Sequence, residues 1–298
     1  MAYTTLISVE QLQALRASGQ AHTVFDCSFL LTDPQAGEAM YTEAHIPDAV
    51  YADLDKNLSA AKYAATGQPA PGTSASGGRH PLPTREMFAA WLSAVGFDNT
   101  QQAVVYDRQG ANYCGRLWWM LKWAGHERVA LLDGGLQAWQ AAGGAIESGA
   151  SPSRSASNYV LAPEQTRLVT IDTIAKQVGK SAGPGGQTVI DARAAPRFRG
   201  EVEPLDPVAG HIPGALNRPF NLNIGADGRF RSKTALRAEF DVLLAGRDPA
   251  TVVHHCGSGV SAVPNIIAME IAGLGRTALF AGSWSEWCSD PARPVAQG

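Results

Sequence analysis

The sequence predicts an α/β fold made of two copies of one domain. Short apolar segments that suit buried strands alternate with helical segments along the whole chain, which favours a mostly parallel sheet flanked by helices. The same series of motifs occurs in both halves. Between the halves lies a small, polar stretch without periodicity at residues 143–157, which is typical of a linker. We therefore expect a first domain over residues 1–145, a linker over 146–165 and a second domain over 166–298.

Composition excludes several classes of protein. Of 298 residues, 45% are hydrophobic, and 24 Lys and Arg against 27 Asp and Glu give a net charge of −3, so no nucleic-acid or membrane partner is expected. No apolar run is long enough to span a bilayer, and the N-terminal segment lacks the profile of a signal peptide, which favours a cytoplasmic protein. The widely spaced cysteines indicate free thiols and predict no bound metal or other cofactor: Cys27, Cys114, Cys256 and Cys288.

The first copy begins with a helix that Ser8 caps, since Gln11 follows three residues later. Its further predicted elements are strands at 23–26, 102–106 and 129–132, and helices at 86–95, 114–124 and around Trp139. Residues 66–81 are rich in Gly, Pro and Ser and predict a long surface loop.

The second copy repeats this order. Thr170 is expected to cap a helix that includes Ile171, Ile174 and Val178, and strands are expected at 189–191 and 251–253. Three correspondences define the repeat: Asp26 with Asp191, the motif at 45–49 (HIPDA) with that at 211–215 (HIPGA), and Trp139 with Trp287. Asp48 stands where the second copy has a glycine, a position at which Asp tolerates left-handed backbone.

The segment TVVHHCGSGVSA at 251–262 carries the predicted chemistry. Cys256 follows a strand and precedes a helical segment at 262–274. Two glycines let the loop turn its N–H groups inward, and the positive end of the helix lies beneath, so both features stabilise a thiolate. A nucleophilic Cys256 follows, against the alternative of a buried structural cysteine. Asp107 takes the corresponding place in the first copy, so the second copy is expected to be catalytic.

Neighbouring residues leave other interpretations open. Strand alternation sends only one of His254 and His255 towards the core. His255 and Cys256 begin the HC-x5-R signature of a cysteine phosphatase, but Ala262 stands where that signature needs arginine. A sulfur carrier or binding module without turnover is the non-enzymatic alternative.

The motifs HIPGA, Asp191-Ala192-Arg193, RFRG and CGSGVSA together resemble the rhodanese superfamily, and within it the two-domain 3-mercaptopyruvate and thiosulfate sulfurtransferases. The resemblance implies two rhodanese-like domains, each with a five-stranded parallel sheet, of which the second carries the nucleophile. It also implies that Cys256 takes sulfane sulfur from a small-molecule donor as a persulfide and passes it to a thiol, a thioredoxin-like protein or cyanide.

The same resemblance assigns roles to further residues. The loop is similar to CGSGVTA of the mercaptopyruvate branch, which favours 3-mercaptopyruvate as donor, with thiosulfate as the alternative. Ser258, His80 and Asp55 match the serine–histidine–aspartate relay of that branch. The loop backbone would stabilise the persulfide, and the residues concerned are Gly257, Gly259, Val260, Ser261 and Ala262.

Arginines are assigned in the same way. Arg197 matches the family arginine that binds the donor's carboxylate, and Arg193 is expected to pair with a carboxylate that holds the loops. Animal-type enzymes carry a second donor-binding arginine in a Glu-Pro-Arg context, where this chain has Glu203-Pro204-Leu205-Asp206. Arg199 is the candidate to take its place.

Overall fold

The computed structural model describes residues 2–62, 69–150, 153–178 and 186–298. The chain forms two compact units. Unit 1 comprises Met1–Ala75, Pro83–Gln165 and Ile224–Phe230, and unit 2 comprises Ser76–Leu82, Thr166–Asn223 and Arg231–Gly298. The short segment that contains His80 therefore packs with the second unit, although its neighbours along the chain belong to the first.

Unit 1 has a parallel sheet with the strand order β1-β5-β4-β2-β3. The strands are β1 (Leu6–Ile7), β2 (His22–Asp26), β3 (Val50–Tyr51), β4 (Gln102–Tyr106) and β5 (Val129–Leu132). The helices are α1 (Val9–Ala17), α2 (Ala36–Glu43), α3 (Arg85–Ala94), α4 (Cys114–Trp123) and α5 (Gly135–Ala141). Every residue of β4 and β5 is buried, as expected for central strands covered on both faces.

Unit 2 repeats this order as β6-β10-β9-β7-β8, again with parallel pairing. Its strands are β6 (Arg167–Leu168), β7 (Thr188–Asp191), β8 (Leu216–Asn217), β9 (Val252–His255) and β10 (Ala278–Leu279). Its helices are α6 (Ile171–Ala175), α7 (Ala195–Phe198), α8 (Lys233–Leu244), α9 (Val263–Ile271) and α10 (Ser283–Trp287), with 3-10 turns at Phe220–Asn223 and Pro249–Thr251. The predicted fold class, two α/β domains with parallel five-stranded sheets, is confirmed.

Local caps explain where helices begin. Ser8 caps α1 with the predicted capping box, since its hydroxyl accepts from the Gln11 N–H and the Gln11 side chain accepts from the Ser8 N–H. Thr170 precedes α6, but its side chain bonds Thr173 rather than a backbone N–H. Helix α6 ends at Ala175, so Val178 lies beyond the helix in which it was expected.

The HIPDA and HIPGA motifs have one structural role in both units. His45 stacks on Tyr41 and its Nδ1 lies 2.8 Å from the Tyr41 carbonyl oxygen, while His211 stacks on Phe198 and makes the equivalent contact at 2.8 Å. Asp48 has φ +62°, the left-handed conformation expected where the second copy has glycine.

Three expectations are wrong in detail. Strand β9 runs to His255, two residues beyond the predicted end, because His254 and His255 continue the pairing with β10 and β7. Both histidines are fully buried, since the sheet is covered on both faces and alternation leaves neither side exposed. In the predicted surface loop, residues 66–68 lie outside the described part, but His80 is only 4% exposed.

Among the described residues, no helix is both long and apolar enough to cross a bilayer.

Candidate active site

Cys256 lies at the carboxyl end of strand β9, where parallel α/β sheets place their functional groups. Its side chain is buried at the base of the loop, with 2% of the residue exposed. The Cys256 N–H donates to the Ser283 hydroxyl at 3.1 Å, and its carbonyl accepts from the Trp284 N–H at 3.0 Å. These two contacts fix the backbone that presents the thiol.

The loop after Cys256 depends on a glycine at position 259. Gly259 has φ +75°, which side chains of L residues rarely adopt. A Cβ atom at this position would also collide with the carbonyl oxygen of Ala281. The turn is therefore closed at a point that accepts no side chain.

The matching loop of unit 1 contains a bound anion, the side chain of Asp107. One carboxylate oxygen accepts the N–H groups of Gln109 at 2.9 Å and Ala111 at 3.0 Å, and the other accepts those of Tyr113 at 2.8 Å and Cys114 at 3.0 Å. Such a set of converging amides is an anion nest, and in unit 1 the protein fills it with its own carboxylate.

Two hydrogen bonds show that Asp107 and Cys256 occupy equivalent places. Asp107 accepts the Leu136 N–H through its carbonyl, as Cys256 accepts that of Trp284. The preceding strand residues, Tyr106 and His255, each accept an N–H at 2.8 Å from the loop that follows the neighbouring strand. The predicted correspondence between the two loops is therefore confirmed.

In unit 2 the nest is lined differently. Within the described residues, the N–H groups of Ser258, Val260 and Ala262 donate to no protein acceptor. These three positions match Gln109, Ala111 and Tyr113 of unit 1. Since Cys256 stands in place of the carboxylate, the loop can direct these amides at a negatively charged sulfur.

Ser258 and His80 meet beside this loop. The His80 Nδ1 lies 2.7 Å from the Ser258 hydroxyl, and the two residues are 4% and 6% exposed. A buried hydroxyl and imidazole at this distance can exchange a proton. Asp55 belongs to unit 1, where it follows β3 and donates its backbone N–H to Asp53. Burial raises the pKa of the Asp55 carboxyl.

Arg197 lies next to the cysteine loop and is anchored by two acids. Its Nε and Nη2 donate to Glu203 at 3.1 and 2.5 Å, and its Nη2 lies 3.4 Å from Asp206. Burial raises the pKa of Glu203, but hydrogen bonds from Arg197 outweigh burial and bring the pKa below its ordinary value. A Cβ at Gly257 would be 3.7 Å from both Nη1 and Nη2 of Arg197, so the guanidinium borders the loop.

Arg193 has the structural role expected of it. Its guanidinium pairs with Asp191 at 2.7 Å and Glu203 at 3.2 Å, and donates to the Gly210 carbonyl at 2.6 Å, immediately before His211. Arg199 is instead 43% exposed in its side chain and pairs with Glu201. Its contacts do not connect it with the cysteine loop.

Three residues around the cysteine loop were not predicted from the sequence: Arg79, Ser283 and Asp206. Arg79 Nη1 pairs with Asp206 at 2.5 Å, and a Cβ at Gly257 would be 3.0 Å from its Nη2. Ser283, with φ +58°, presents its hydroxyl to Cys256. A signal for Arg79 was its place directly before His80.

The two histidines before Cys256 take no part in this arrangement as charged groups. Burial lowers the pKa of His254 to about 3, and burial also lowers that of His255. Both are therefore neutral at neutral pH. His255 places Nδ1 3.2 Å from the Cys256 carbonyl, and His254 places Nε2 3.2 Å from the Met269 sulfur.

Comparison with known proteins agrees with this organisation. A model of the rhodanese-like domain matches residues 8–142 and again residues 175–290. A Pseudomonas aeruginosa protein described as a probable 3-mercaptopyruvate sulfurtransferase is 44% identical over 299 residues, which cover 100% of both chains. A Mycobacterium tuberculosis protein provisionally assigned as the thiosulfate sulfurtransferase SseB is 39% identical, over 98% of this chain and 97% of its own.

Among solved structures, the 3-mercaptopyruvate sulfurtransferase from Leishmania major superposes with a TM-score of 0.77 and 31% sequence identity. The match covers 96% of this chain and 74% of that one. Two matched domains, full-length relatives and a shared fold lead to one conclusion. The chain belongs to the rhodanese-like family and is a tandem-domain sulfurtransferase.

Proposed function

We propose that the enzyme transfers sulfur from 3-mercaptopyruvate through a persulfide on Cys256. The Cys256 thiolate attacks the donor's sulfur, the carbon–sulfur bond breaks, and its electron pair leaves with the carbon as pyruvate enolate. The sulfur, with its hydrogen, stays on Cys256. The enolate takes a proton and leaves as pyruvate. An acceptor thiolate then attacks the outer sulfur and carries it away as a persulfide, which regenerates the Cys256 thiolate.

The observation that carries this proposal is the pair of equivalent loops. In unit 1 the converging amides hold the Asp107 carboxylate, and in unit 2 the same turn surrounds Cys256. Amides that bind a carboxylate in one copy would stabilise the thiolate and the persulfide anion in the other. The backbone of Gly257, Gly259 and Ser261 completes the proposed cradle.

Two contacts favour 3-mercaptopyruvate as the donor. The Ser258–His80 hydrogen bond of 2.7 Å supports a relay that delivers the proton to the enolate, with Asp55 as its proposed third member. Arg197 would bind the carboxylate through the edge of its guanidinium nearest Gly257. The name of the Pseudomonas relative, which is 44% identical, contains the same donor, 3-mercaptopyruvate.

Thiosulfate is the second candidate donor. Two guanidinium groups border Gly257, and the Mycobacterium relative is assigned to thiosulfate. Comparing kcat/KM for the two donors, with cyanide and with a dithiol as acceptors, decides between them. A higher value for thiosulfate would contradict the proposed donor while leaving the persulfide step in place.

The persulfide itself is tested by mass spectrometry. After treatment with 3-mercaptopyruvate and no acceptor, the Cys256 peptide should gain one sulfur, about 32 Da. Cys256→Ser should abolish both the mass gain and turnover, whereas Cys288→Ser should retain both. Sulfur transfer by the Cys256→Ser variant would overturn the mechanism.

A further inference from the structure

Two arginines, from distant parts of the chain, converge on Gly257 within unit 2. A Cβ built on Gly257 would lie 3.0 Å from Nη2 of Arg79 and 3.7 Å from Nη1 and Nη2 of Arg197. The residue after the nucleophile is thus bordered by two guanidinium groups. Gly257 does not have a left-handed backbone, so its missing side chain serves to leave room beside these groups.

Arg79 is oriented before any donor arrives. Its Nη1 pairs with Asp206 at 2.5 Å, and its backbone N–H donates to the Ser285 hydroxyl at 2.9 Å. The same Asp206 lies 3.4 Å from Arg197 Nη2, so one carboxylate connects the two guanidinium groups. Holding both side chains in place reduces the entropy lost when they bind a ligand.

Each guanidinium has N–H groups that the protein's own acceptors leave unpaired. Within the described residues, Nη2 of Arg79 and Nη1 of Arg197 donate to no protein acceptor, and neither atom is among the buried unpaired atoms, whereas the unpaired Nε of Arg79 is buried. The Arg79 side chain is 24% exposed and that of Arg197 18%, so both can be reached by a small ligand. Unsatisfied guanidinium N–H groups beside a nucleophile are suited to bind the oxygens of a planar anion.

We propose that Arg79 is the second donor-binding arginine, and that Arg79 and Arg197 together bind the carboxylate and neighbouring oxo group of a 2-oxo acid donor. This assignment rests on the proposed function and replaces Arg199, whose guanidinium is occupied by Glu201 at the surface. A 2-oxo carboxylate offers three oxygen acceptors on one planar group, enough for N–H groups from two sides. Arg79 binds substrate and takes no part in proton transfer.

The kinetic test compares Arg79→Gln, Arg79→Lys and the matched surface control Arg199→Gln. Loss of a charge-assisted hydrogen bond should raise KM for 3-mercaptopyruvate about 10- to 100-fold in Arg79→Gln, with little change in kcat. Arg79→Lys keeps the charge but loses the fork and should fall between Arg79→Gln and wild type. Arg199→Gln should match wild type. An unchanged KM in folded Arg79→Gln would overturn the assignment.

A second test does not depend on sulfur transfer. Iodoacetate and iodoacetamide alkylate the same thiol but differ in carrying a carboxylate or a neutral amide. The ratio of their rates at the Cys256 peptide should fall about tenfold in Arg79→Gln and stay constant in Arg199→Gln. An equal change in both rates would show that Arg79 acts on thiol reactivity and would overturn the proposal.

The two tests separate the possible failures. If the enzyme uses thiosulfate but not 3-mercaptopyruvate, the proposed donor is wrong, and the alkylation ratio still decides whether Arg79 recognises a carboxylate. If Arg79→Gln fails to fold, as judged by circular dichroism, Arg79→Lys decides alone. It should show an intermediate alkylation ratio, and a wild-type ratio together with a wild-type KM would overturn the proposal.

Discussion

At the scale of single residues, the loop after β4 and the loop after β9 differ in one decisive position, which is Asp107 in unit 1 and Cys256 in unit 2. Both accept an equivalent backbone N–H through their carbonyl and stand at the same turn. Asp107 satisfies four amides with its own side chain, which leaves that nest closed to other anions. In the proposed mechanism, a cysteine at the same place leaves the amides to stabilise negative charge on sulfur. The difference in chemistry thus requires no difference in fold.

The proposed relay makes a prediction for two donors. Ser258→Ala and His80→Asn should each lower kcat with 3-mercaptopyruvate by about 100-fold or more, because a general acid at the enolate is lost. Thiosulfate releases sulfite, which needs no proton on carbon, so turnover of thiosulfate should fall much less. Steady-state kinetics with both donors measure the difference.

The control for the relay is Ser289→Ala, which removes an exposed hydroxyl bonded to the Glu286 carbonyl and should leave both rates unchanged. Asp55→Asn should resemble His80→Asn if Asp55 is the third member of the relay. Equal losses with the two donors in Ser258→Ala would contradict a proton-transfer role.

At the scale of elements, an aspartate–arginine pair fixes each copy of the HIPDA or HIPGA segment by a different route. In unit 1, Arg108 follows β4, pairs with Asp26 at 3.1 Å and donates to the carbonyl of Ala44 before His45. In unit 2, Arg193 follows β7 and bonds Asp191 and the carbonyl of Gly210. Both units thus have an arginine that bonds the strand-end aspartate and the carbonyl before the motif, although the arginine lies in a different loop in each unit. Position 108 corresponds to Gly257, which therefore needs no structural side chain.

The closed nest of unit 1 should contribute to stability. Asp107→Ala leaves four N–H groups without their acceptor, two of them buried, and should lower the free energy of unfolding by about 2–3 kcal/mol. Asp107→Asn keeps one carbonyl oxygen and should lose less. Urea denaturation followed by tryptophan fluorescence measures both. Asp98→Ala, which removes a partly exposed turn carboxylate bonded to Thr100, is the control. A loss no greater than that of the control would contradict the role of the nest.

Much of this organisation could be predicted from local sequence. Motif order defined the duplication, and the strand–Cys–Gly–Ser–Gly pattern placed Cys256 at the end of β9 because such turns have few backbone solutions. The last two residues of β9, His254 and His255, were not predicted as strand because histidine is a polar residue. Both are nevertheless buried, since the sheet is covered on both faces. Arg79 was missed because it lies in a loop without periodicity, and only the tertiary path of that loop brings it to Gly257.

At the scale of the whole molecule, each unit encloses an uncharged histidine whose burial ties stability to pH. Burial lowers the pKa of His254 in unit 2 to about 3 and that of His126 in unit 1 to about 4. An unfolded histidine titrates near pH 6.5, so below that value the unfolded chain binds a proton that the folded chain excludes. The contribution of each buried histidine to the free energy of unfolding is therefore fully present above about pH 6.5. It is lost as the pH falls from there towards the folded pKa.

The expected slope is about 1.4 kcal/mol per pH unit for each histidine between pH 6 and pH 5, read from urea denaturation at a series of pH values. His254→Gln should reduce the slope of the free energy of unfolding against pH by that amount, whatever it does to stability at pH 7. Met269→Leu is the matched control, because it disturbs the sulfur that contacts His254 Nε2 and leaves the titrating group in place. A slope that is the same in wild type and His254→Gln would show that His254 does not couple folding to pH. A slope lost equally in both variants would assign the effect to packing around Met269.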